Sequence, residues 1–286
     1  MTAGRWLAPA KLNLYLHVVG RRPDGYHLLD SLVAFAAPCD EILVASAPDL
    51  SLTVRGPYAA ALDGPPQANL VWRAAERLAA ASDRRPAAAI TLVKNLPVAS
   101  GIGGGSSDAA ATLKALAELW QLDLDARSIA AIGAALGADV PVCLAGRTAW
   151  LGGIGECVEP AAPLPAMTVL LANPGIALAT ARVFAARHGP FSAPARFAEM
   201  PRDAAGLVAR LVERRNDLAP AAIGLAPVVG DVLARLARSD GALLARMSGS
   251  GATCFALFAS PDAAHEAMQR LAVEQPRWWL AVGQLA

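Results

Sequence analysis

The most distinctive segment of the sequence is a run of small residues at 97–108, which reads PVASGIGGGSSD. A predicted strand at 90–94 enters it and a predicted helix at about 108–120 leaves it. Such small side chains let several backbone N–H groups converge on one anion, and a helix N-terminus adds positive potential. The segment therefore predicts a phosphate-binding loop. A flexible turn capped by Ser106 or Ser107 remains the alternative at this point.

Two familiar phosphate loops do not match this segment. It lacks the GxxxxGK[ST] pattern of a Walker A loop. The GxGxxG pattern of a dinucleotide-binding loop fails at its last position, where Ser106 stands. The segment also lies about a hundred residues into the chain, whereas the dinucleotide loop usually closes a first βαβ unit.

Two charged residues offer chemistry that would complement bound phosphates. Lys11 stands on the polar side of an alternating strand, and an ammonium can neutralise phosphate oxygens or lower the pKa of a nearby hydroxyl. Asp139 lies between Gly137 and Pro141, and a carboxylate there can accept a hydroxyl proton. Position alone also fits plainer roles, namely a solvated lysine and an aspartate that caps a turn.

Two further segments carry candidate binding residues. Tyr26 and His27 follow a glycine turn, where an aromatic ring and an imidazole can hold a planar base, although a partly buried surface pair fits equally well. Residues 247–252 form a second Gly/Ser turn, MSGSGA. Taken alone, this second turn is an ordinary connection between two strands.

The hydrophobic pattern predicts the elements that position these residues. Residues 11–18 alternate strictly, which predicts a strand with one buried face and one polar face. Asn69 is a predicted cap for a helix over 70–81. The other predicted strands are at 27–36, 41–45, 50–54, 90–94, 167–172, 242–246, 253–259 and 278–283. The other predicted helices are at 108–120, 126–136, 180–188, 204–214, 226–238 and 262–272.

Composition limits the class of protein. The 286 residues include 25 Lys and Arg against 24 Asp and Glu, a balance that argues against a nucleic-acid or anionic-membrane partner. Four scattered cysteines predict free thiols and a reduced, cytoplasmic setting. No signal peptide is expected at the N-terminus. The uncharged stretch at 160–181 contains four prolines and predicts a buried strand between loops, not a membrane span.

Five segments in this order resemble the GHMP kinase superfamily: APAKLNL (8–14), RPDGYH (22–27), the 97–108 loop, GADVPV (137–142) and SGSG (248–251). The loop and the last turn are typical of the whole superfamily. The PAKLNL, DGYH and GADVP segments are similar to those of the members that phosphorylate 4-diphosphocytidyl-2-C-methyl-D-erythritol. The resemblance runs from about residue 6 to about residue 258.

The resemblance implies an α+β fold with two domains. Residues 1–160 would form a ribosomal-protein-S5-domain-2-like domain that binds ATP. Residues 161–286 would form a ferredoxin-like domain that contributes to the substrate cleft. The implied domain boundary coincides with the proline-rich stretch near 158–165.

The resemblance also implies the reaction. ATP, with Mg²⁺, would phosphorylate the 2-hydroxyl of the cytidine diphosphate-linked methylerythritol, giving the 2-phosphate and ADP, in the non-mevalonate route to isoprenoid precursors. The implied partner is this small molecule, with no nucleic acid or membrane, and the chain would be a cytoplasmic monomer or homodimer. The alternatives are another GHMP-type kinase of the homoserine or mevalonate class, an NAD-dependent oxidoreductase, and a non-catalytic nucleotide binder.

Residue roles carry over by position. Asp139 would be the base and Lys11 would orient the hydroxyl and stabilise developing charge. The ATP-binding set would be Asn69, Leu70, Lys94, Pro97, Gly101, Gly103, Gly104, Gly105, Ser106 and Ser107, with Asn69, Leu70 and Lys94 near the adenine. The substrate-binding set would be Asn13, Tyr26, His27, Thr180 and Phe184. Departures from the family pattern are Ser100, Ile102 and Met247-Ser248, and the last leaves the role of the Ser248 hydroxyl open.

Overall fold

Two long strands open the chain, β1 (Gly4–Arg21) and β2 (His27–Ala45). The structure is a computed structural model that describes residues 4–62 and 64–285. These residues divide into two units that interleave along the chain, and β1 and β2 contribute to both. The first unit contains the residues up to Ala10, Cys39–Val98 and Gly103–Gly146. The second contains Lys11–Pro38, Ala99–Ile102 and the chain from Arg147 onwards.

The first unit combines short strands with helices. Its elements are β3 (Ser51–Arg55), α1 (Leu70–Ala81), β4 (Ala89–Val93), α2 (Gly104–Leu119), α3 (Ala126–Ala134) and α4 (Val140–Ala145), with short 3₁₀ turns at Ala59–Leu62 and Pro66–Ala68. Strand β4 pairs in parallel with β3 and antiparallel with the second half of β2. Helices α1 and α2 pack against each other.

Helix α1 forms where the hydrophobic pattern predicts it. The side chain of Asn69 accepts a hydrogen bond from the N–H of Val71 at 2.9 Å, which satisfies one free donor of the first turn. The predicted inward residues are all buried: Val71, Ala74, Ala75 and Leu78. The cap and the apolar stripe therefore agree, and the predicted limits of this helix are confirmed.

Helix α2 begins at Gly104 and not at 108. Gly103 precedes it with φ of 64°, a left-handed conformation that glycine adopts without strain from a Cβ. Ser106 and Ser107 consequently lie inside the first helical turn, and the alternative that either serine caps the helix is wrong. The glycine-rich stretch is part of the helix because Gly103, one residue earlier, makes the turn into it.

The second unit contains two sheet segments and several helices. Its strands are β5 (Ala149–Gly152), β6 (Cys157–Pro160), β7 (Thr168–Asn173), β8 (Ala242–Met247), β9 (Cys254–Phe258) and β10 (Trp279–Gln284). Its helices are α5 (Thr180–Ala185), α6 (Ala204–Val212), α7 (Ala219–Leu225), α8 (Val228–Ala237) and α9 (Pro261–Glu274). The first half of β2 pairs with β5, and β5 pairs with β6.

An antiparallel sheet in the order β10-β7-β9-β8 forms the centre of the second unit. Helices α8 and α9 bury Val229, Val232, Leu236 and Leu271 in a core shared with alternate residues of β7 and β9. Each such side chain contributes roughly 1.5–3 kcal/mol when it is fully buried. This helix-covered four-stranded sheet agrees with the ferredoxin-like part of the expected fold.

The uncharged stretch at 160–181 contains β7, with loops on both sides, as the sequence predicts. All six residues of β7 are buried. Within the described ranges, every helix is too short or too polar to cross a bilayer. The apolar character of the stretch therefore reflects burial in a sheet.

The polar side of β1 departs from the prediction. The alternation predicts one buried face, but the polar face is buried as well: none of Lys11, Asn13, Tyr15 and His17 is more than 7% exposed. Buried polar groups need partners. Tyr15 donates to Asp30 Oδ2 at 2.9 Å, and the other three side chains also have partners within the second unit. Alternation in the sequence indicates a strand, but it does not show whether the polar face meets solvent or a buried network of polar groups.

Two short helices are missing from the prediction. The GADVPV segment (137–142) includes α4, which starts at Val140, and α7 precedes the predicted helix at 226–238. Both helices carry a proline in their first turn, Pro141 and Pro220. Proline is tolerated there because the N–H that it lacks would have no helical partner. It is a helix breaker only when it stands further along.

Candidate active site

The first turn of α2 presents backbone amides of the Gly/Ser loop. The N–H groups of Gly104, Gly105 and Ser106 have no acceptor inside the helix, since the required carbonyls would precede it. The first amide with such an acceptor is that of Ser107, which donates to Gly103 O at 2.8 Å. Free amides and the positive end of the helix dipole together suit an anionic oxygen.

The two serines of this turn differ in their surroundings. Ser107 is buried, its hydroxyl donates to the carbonyl of Pro9 at 2.7 Å, and it lies 3.3 Å from Cys143 Sγ. Ser106 is half-buried. The Ser107 side chain therefore fastens α2 to β1, and Ser106 is the serine whose hydroxyl is more open to a ligand.

Two predicted adenine-site residues lie at the start of α1. Asn69 caps the helix through its side chain, and Leu70 is its first residue. A methyl group at Gly105 would lie 3.4 Å from Leu70 Cδ1, so Leu70 reaches the first turn of α2. The first unit thus brings Leu70 together with the Gly/Ser loop. Pro97, which precedes the loop, is buried.

Lys94, the third predicted adenine-site residue, has a buried ammonium. Its Nζ lies 2.5 Å from Asp40 Oδ2 and 2.6 Å from Asp108 Oδ2. Burial acts to lower the pKa of Lys94, but the neighbouring Asp108 and Asp40 carboxylates outweigh it and hold the pKa above its ordinary value. The side chain is committed to these two aspartates, which the sequence analysis did not connect with it.

Asp139 stands at the N-cap position of α4 in the first unit and is half-buried. Its carboxylate makes no capping hydrogen bond to the helix. The side chain of Asp139 therefore does not cap this helix. Gly137 accepts the first backbone bond of this turn, from Val140.

Lys11 and Asn13 adjoin each other on β1 in the second unit. Lys11 Nζ donates to Asn13 Oδ1 at 3.0 Å, and the amide of Asn13 donates to Ser31 Oγ at 2.8 Å. The backbone N–H of Lys11 donates to the carbonyl of Ile102 at 2.9 Å. The strand that carries Lys11 is thus tied directly to the Gly/Ser loop.

Ser248, whose role the sequence left open, braces the same region. Its hydroxyl donates to Gly101 O at 3.0 Å and accepts from the backbone N–H of Asn13 at 3.2 Å. A single hydroxyl therefore links the second Gly/Ser turn to the first and to β1. No local sequence pattern predicts this role of Ser248, because Asn13 and Ser248 are 235 residues apart.

Asn216 is a structural residue that the sequence analysis missed. Its side-chain amide donates to the carbonyls of Met247 and Gly249, each at 2.8 Å, and its Oδ1 accepts from Leu218 N at 2.9 Å. The amide is satisfied in the interior and holds the second Gly/Ser turn in shape. A polar Asn-Asp pair between two apolar helices is the only signal that points to it.

His27 and Phe184 stack in the second unit. Their ring centroids are 5.3 Å apart with planes inclined by 25°, and Tyr26 beside them is 60% exposed. Burial lowers the pKa of His27, and the Arg21 and Arg187 guanidinium groups lower it further. The imidazole is therefore neutral at pH 7, with one nitrogen to donate and one to accept.

Thr180 opens α5, and its hydroxyl lies 2.9 Å from the hydroxyl of Ser250. This contact places Thr180 at the second Gly/Ser turn. The second unit therefore contains the predicted substrate residues in three places: Asn13 on β1, His27 with Phe184 and the adjacent Tyr26, and Thr180 beside Ser250.

Comparison with known proteins agrees with these features. The family model for the GHMP kinases N terminal domain matches residues 69–147, and the model for the GHMP kinases C terminal matches residues 197–275. The first match includes the start of α1, the Gly/Ser loop and Asp139. The second match includes the turn with Ser248.

Close relatives extend over the whole chain. A 4-diphosphocytidyl-2-C-methyl-D-erythritol kinase of Paramagnetospirillum magneticum is 51% identical, covering 100% of this chain and 99% of the relative. The enzyme of that name from Rhodospirillum rubrum is 49% identical, covering 97% of this chain and 91% of the relative.

Solved structures show the same relationship. A crystal structure of 4-(cytidine 5'-diphospho)-2C-methyl-D-erythritol kinase superposes with a TM-score of 0.80 at 34% identity, covering 99% of both chains. A homoserine kinase from Cytophaga hutchinsonii shares the fold, with a TM-score of 0.75 at 18% identity over 100% of this chain and 95% of the other. The chain belongs to the 4-diphosphocytidyl-2-C-methyl-D-erythritol kinase family of the GHMP kinases.

Proposed function

We propose that this chain transfers the γ-phosphoryl group of ATP to the 2-hydroxyl of 4-diphosphocytidyl-2-C-methyl-D-erythritol, giving the 2-phosphate and ADP. The observation that carries the proposal is the 51% identity to a kinase of that name across the entire chain. The reaction is a step of the non-mevalonate route to isoprenoid precursors. The neutral His27 stacked on Phe184 adds a site suited to a nucleobase.

The ATP phosphates bind at the first turn of α2. Amides of Gly103, Gly104, Gly105 and Ser106 donate to phosphate oxygens, supported by the helix dipole. Gly101 and Pro97 shape the entry to this turn, and Ser107 fixes the helix through Pro9. Asn69 and Leu70 lie on the adenine side, since Leu70 adjoins Gly105.

Asp139 accepts the proton of the attacking hydroxyl, and Lys11 stabilises charge on the transferring group. The 2-hydroxyl is tertiary, so its oxygen is a hindered nucleophile and benefits from positioning and deprotonation. The Asp139 carboxylate does not cap α4, so taking the hydroxyl proton would break no helix cap. Asn13, which accepts from Lys11 Nζ, orients the ammonium.

The cytidine end of the acceptor binds through Tyr26, His27 and Phe184. Stacking on aromatic rings holds the cytosine plane, and a neutral imidazole can read its amide-like edge. Thr180 contacts the acceptor from the second Gly/Ser turn. Binding free energy from the cytidine, remote from the reacting hydroxyl, fixes the acceptor for transfer.

Mg²⁺ fits this chain as a companion of ATP. The described residues contain no cluster of three or more His, Cys, Asp or Glu side chains that would hold a metal by themselves. Mg²⁺ commonly keeps several waters and binds substrate phosphates with few protein ligands. Ser106, half-buried in the first turn of α2, would supply a protein oxygen. Bound there, Mg²⁺ would neutralise charge on the phosphates.

The wider assignments follow the same family relationship. Residues 1–160 form the ATP-binding domain and residues 161–286 the domain that contributes to acceptor binding. A cytoplasmic setting is supported by the four cysteines, all of which lie in the described part of the chain and form no disulfide there. The implied monomer or homodimer, and the implied lack of nucleic-acid and membrane partners, stay predictions.

The test is ADP release from Mg-ATP with the cytidine acceptor against homoserine, mevalonate and galactose. We expect turnover with the cytidine acceptor alone. Turnover with another alcohol and none with the cytidine acceptor would overturn the proposed substrate while leaving an ATP-dependent kinase. No ADP release with any acceptor, in a preparation that binds ATP, would contradict the proposed activity as a whole.

His27→Ala should raise KM for the cytidine acceptor about tenfold, since one neutral hydrogen bond and a stacking contact contribute about 1–2 kcal/mol. KM for ATP should change little. Steady-state kinetics with each substrate varied in turn measures both values. His265→Ala, at an exposed position on α9, is the matched control. Equal increases in both KM values would exclude a cytosine-specific role.

The same residue predicts a pH dependence. Because the pKa of His27 lies below its ordinary value of 6.5, the wild-type KM for the acceptor should change little between pH 8 and pH 7. It should rise at lower pH, where protonation removes the acceptor nitrogen. A KM profile in which wild type and His27→Gln rise together would assign the dependence to another group.

A further inference from the structure

The first unit contains a buried ion cluster, formed by Asp40 of β2, Lys94 after β4 and Asp108 of α2, which we name the Lys94 cluster. Lys94 Nζ contacts one carboxylate oxygen of each aspartate, at 2.5 and 2.6 Å. Asp40 Oδ1 also accepts from the backbone amides of Asn95 and Leu96, at 2.6 and 2.8 Å. The cluster therefore joins two strands and a helix at one buried point.

The stability of the fold does not by itself explain such a cluster. Burying an ammonium and two carboxylates has a desolvation penalty that their attraction often fails to exceed. Apolar side chains of similar volume frequently serve a core as well or better. A positional role for Lys94 accounts for its presence more directly.

The ammonium lies against the first residue of α2. A methyl group at Gly104 would stand 3.0 Å from Lys94 Nζ and 3.6 Å from Asp40 Oδ2. Gly104 does not have a positive φ, so its backbone conformation does not call for glycine. Glycine is favoured because a larger side chain would enter the space beside the Lys94 ammonium. Lys94 thereby sets how closely the start of α2 approaches the end of β4.

The charge balance of the cluster suits an anion bound nearby. Burial raises the pKa of Asp108 to about 8, with Asp40 also raising it and Lys94 opposing the shift. Oδ1 of Asp108 is buried without a hydrogen-bond partner among the described residues, which disfavours its charged form. The raised pKa of Asp108 limits the negative charge that the cluster places beneath the phosphate-binding turn, where the Lys94 ammonium also opposes the Asp40 carboxylate.

We propose that Lys94 is a positioning residue for that turn: through its contact with Gly104 it places the first amides of α2 for the nucleotide phosphates, without itself touching the nucleotide. This inference rests on the proposed function in taking an adenine nucleotide as ligand. It replaces the adenine contact that the resemblance implies for the Lys94 side chain. The two roles differ in which part of the nucleotide they affect.

The experiment compares calorimetric dissociation constants for ADP and for adenosine. One variant combines Lys94→Met with Asp40→Asn, so that Asp40 does not remain as a buried carboxylate without its ammonium partner. The other variant is Gly104→Ala, which keeps every charge and places a methyl group 3.0 Å from the Lys94 ammonium. We expect ADP binding to weaken about tenfold or more in both, because small misplacement of binding groups has large effects. Adenosine binding should change less than about twofold.

Lys114→Met is the matched control, since Lys114 lies on α2 but well beyond its first turn. It should leave ADP binding unchanged. Equal weakening of ADP and adenosine would overturn the proposal in favour of an adenine contact, and unchanged ADP binding in Gly104→Ala would overturn it outright. If the double variant does not fold, Gly104→Ala decides alone.

A failure of the proposed function would be recognised separately. It would appear as wild-type protein that binds ADP but does not phosphorylate the cytidine acceptor. The comparison of ADP with adenosine requires no acceptor, so it tests the role of Lys94 in either case. Wild-type protein that binds no ADP would overturn both proposals.

Discussion

Asp139→Asn is expected to lower kcat by about 10²–10⁴-fold while the enzyme still binds ATP, the range that loss of a general base produces. Asn keeps the shape and the polarity of the side chain but cannot take the hydroxyl proton. Since the Asp139 carboxylate makes no capping bond to α4, the substitution removes no cap and should leave the helix intact. Turnover kinetics together with ATP binding by calorimetry measures both quantities.

The chain supplies a matched control for this prediction. Asp125 stands at the N-cap of α3, where its carboxylate accepts from the N–H of Ser128 at 2.7 Å. Asn is as good a cap as Asp, so Asp125→Asn should keep normal kcat and normal stability. Near-normal kcat in Asp139→Asn would remove Asp139 from the role of base.

Gly101→Ala has the second large expected effect. Gly101 has φ of +77°, and a Cβ there would stand 2.5 Å from Ser248 O and 2.7 Å from Gly251 N. Both neighbours are backbone atoms of a turn that is fixed by the hydrogen bond from Asn216 to Gly249 O, so moving them aside has an energetic cost. We expect unfolding free energy to fall by about 2–4 kcal/mol, the sum of backbone strain and overpacking.

The same substitution should weaken ATP binding, because it separates the two Gly/Ser turns and disturbs the loop. Chemical unfolding and ATP calorimetry measure the two effects. Gly224→Ala is the control: Gly224 lies in α7 of the same unit, with no atom near its missing Cβ and no positive φ. Alanine favours a helix there. If Gly101→Ala behaves like Gly224→Ala, the two turns are not packed as described.

Local patterns in the sequence predicted the elements whose signals are local. Helix α1 has a cap at Asn69 and an apolar stripe from Val71 to Leu78, and both are adjacent in sequence. Strand β7 has an apolar run between prolines. The start of α2 was predicted at 108 because glycine is a poor helix former, yet packing against α1 and the conformation of Gly103 begin it at Gly104.

Contacts between residues that are far apart in the sequence could not be predicted from local patterns. The resemblance places Lys94 near the adenine, whereas its ammonium is buried against Asp40 and Asp108, which are 54 and 14 residues away. Ser248 meets Asn13 across 235 residues. The alternation of β1 predicts only one buried face, and its polar face is buried because partners come from other elements. A residue's type and spacing predict its chemistry better than they predict its partners.

Transfer of the γ-phosphoryl group to the 2-hydroxyl gives a phosphate monoester at position 2, and ³¹P NMR of the product can identify that position. The carbon at position 2 bears a methyl group and no hydrogen, so a phosphate on its oxygen has no three-bond coupling to a proton. We expect a new phosphomonoester singlet beside an unaltered diphosphate and one equivalent of ADP. A monoester signal split by neighbouring protons would place the phosphate on another hydroxyl. Inorganic phosphate alone would show that ATP is only hydrolysed. Either result would contradict phosphoryl transfer to the 2-hydroxyl.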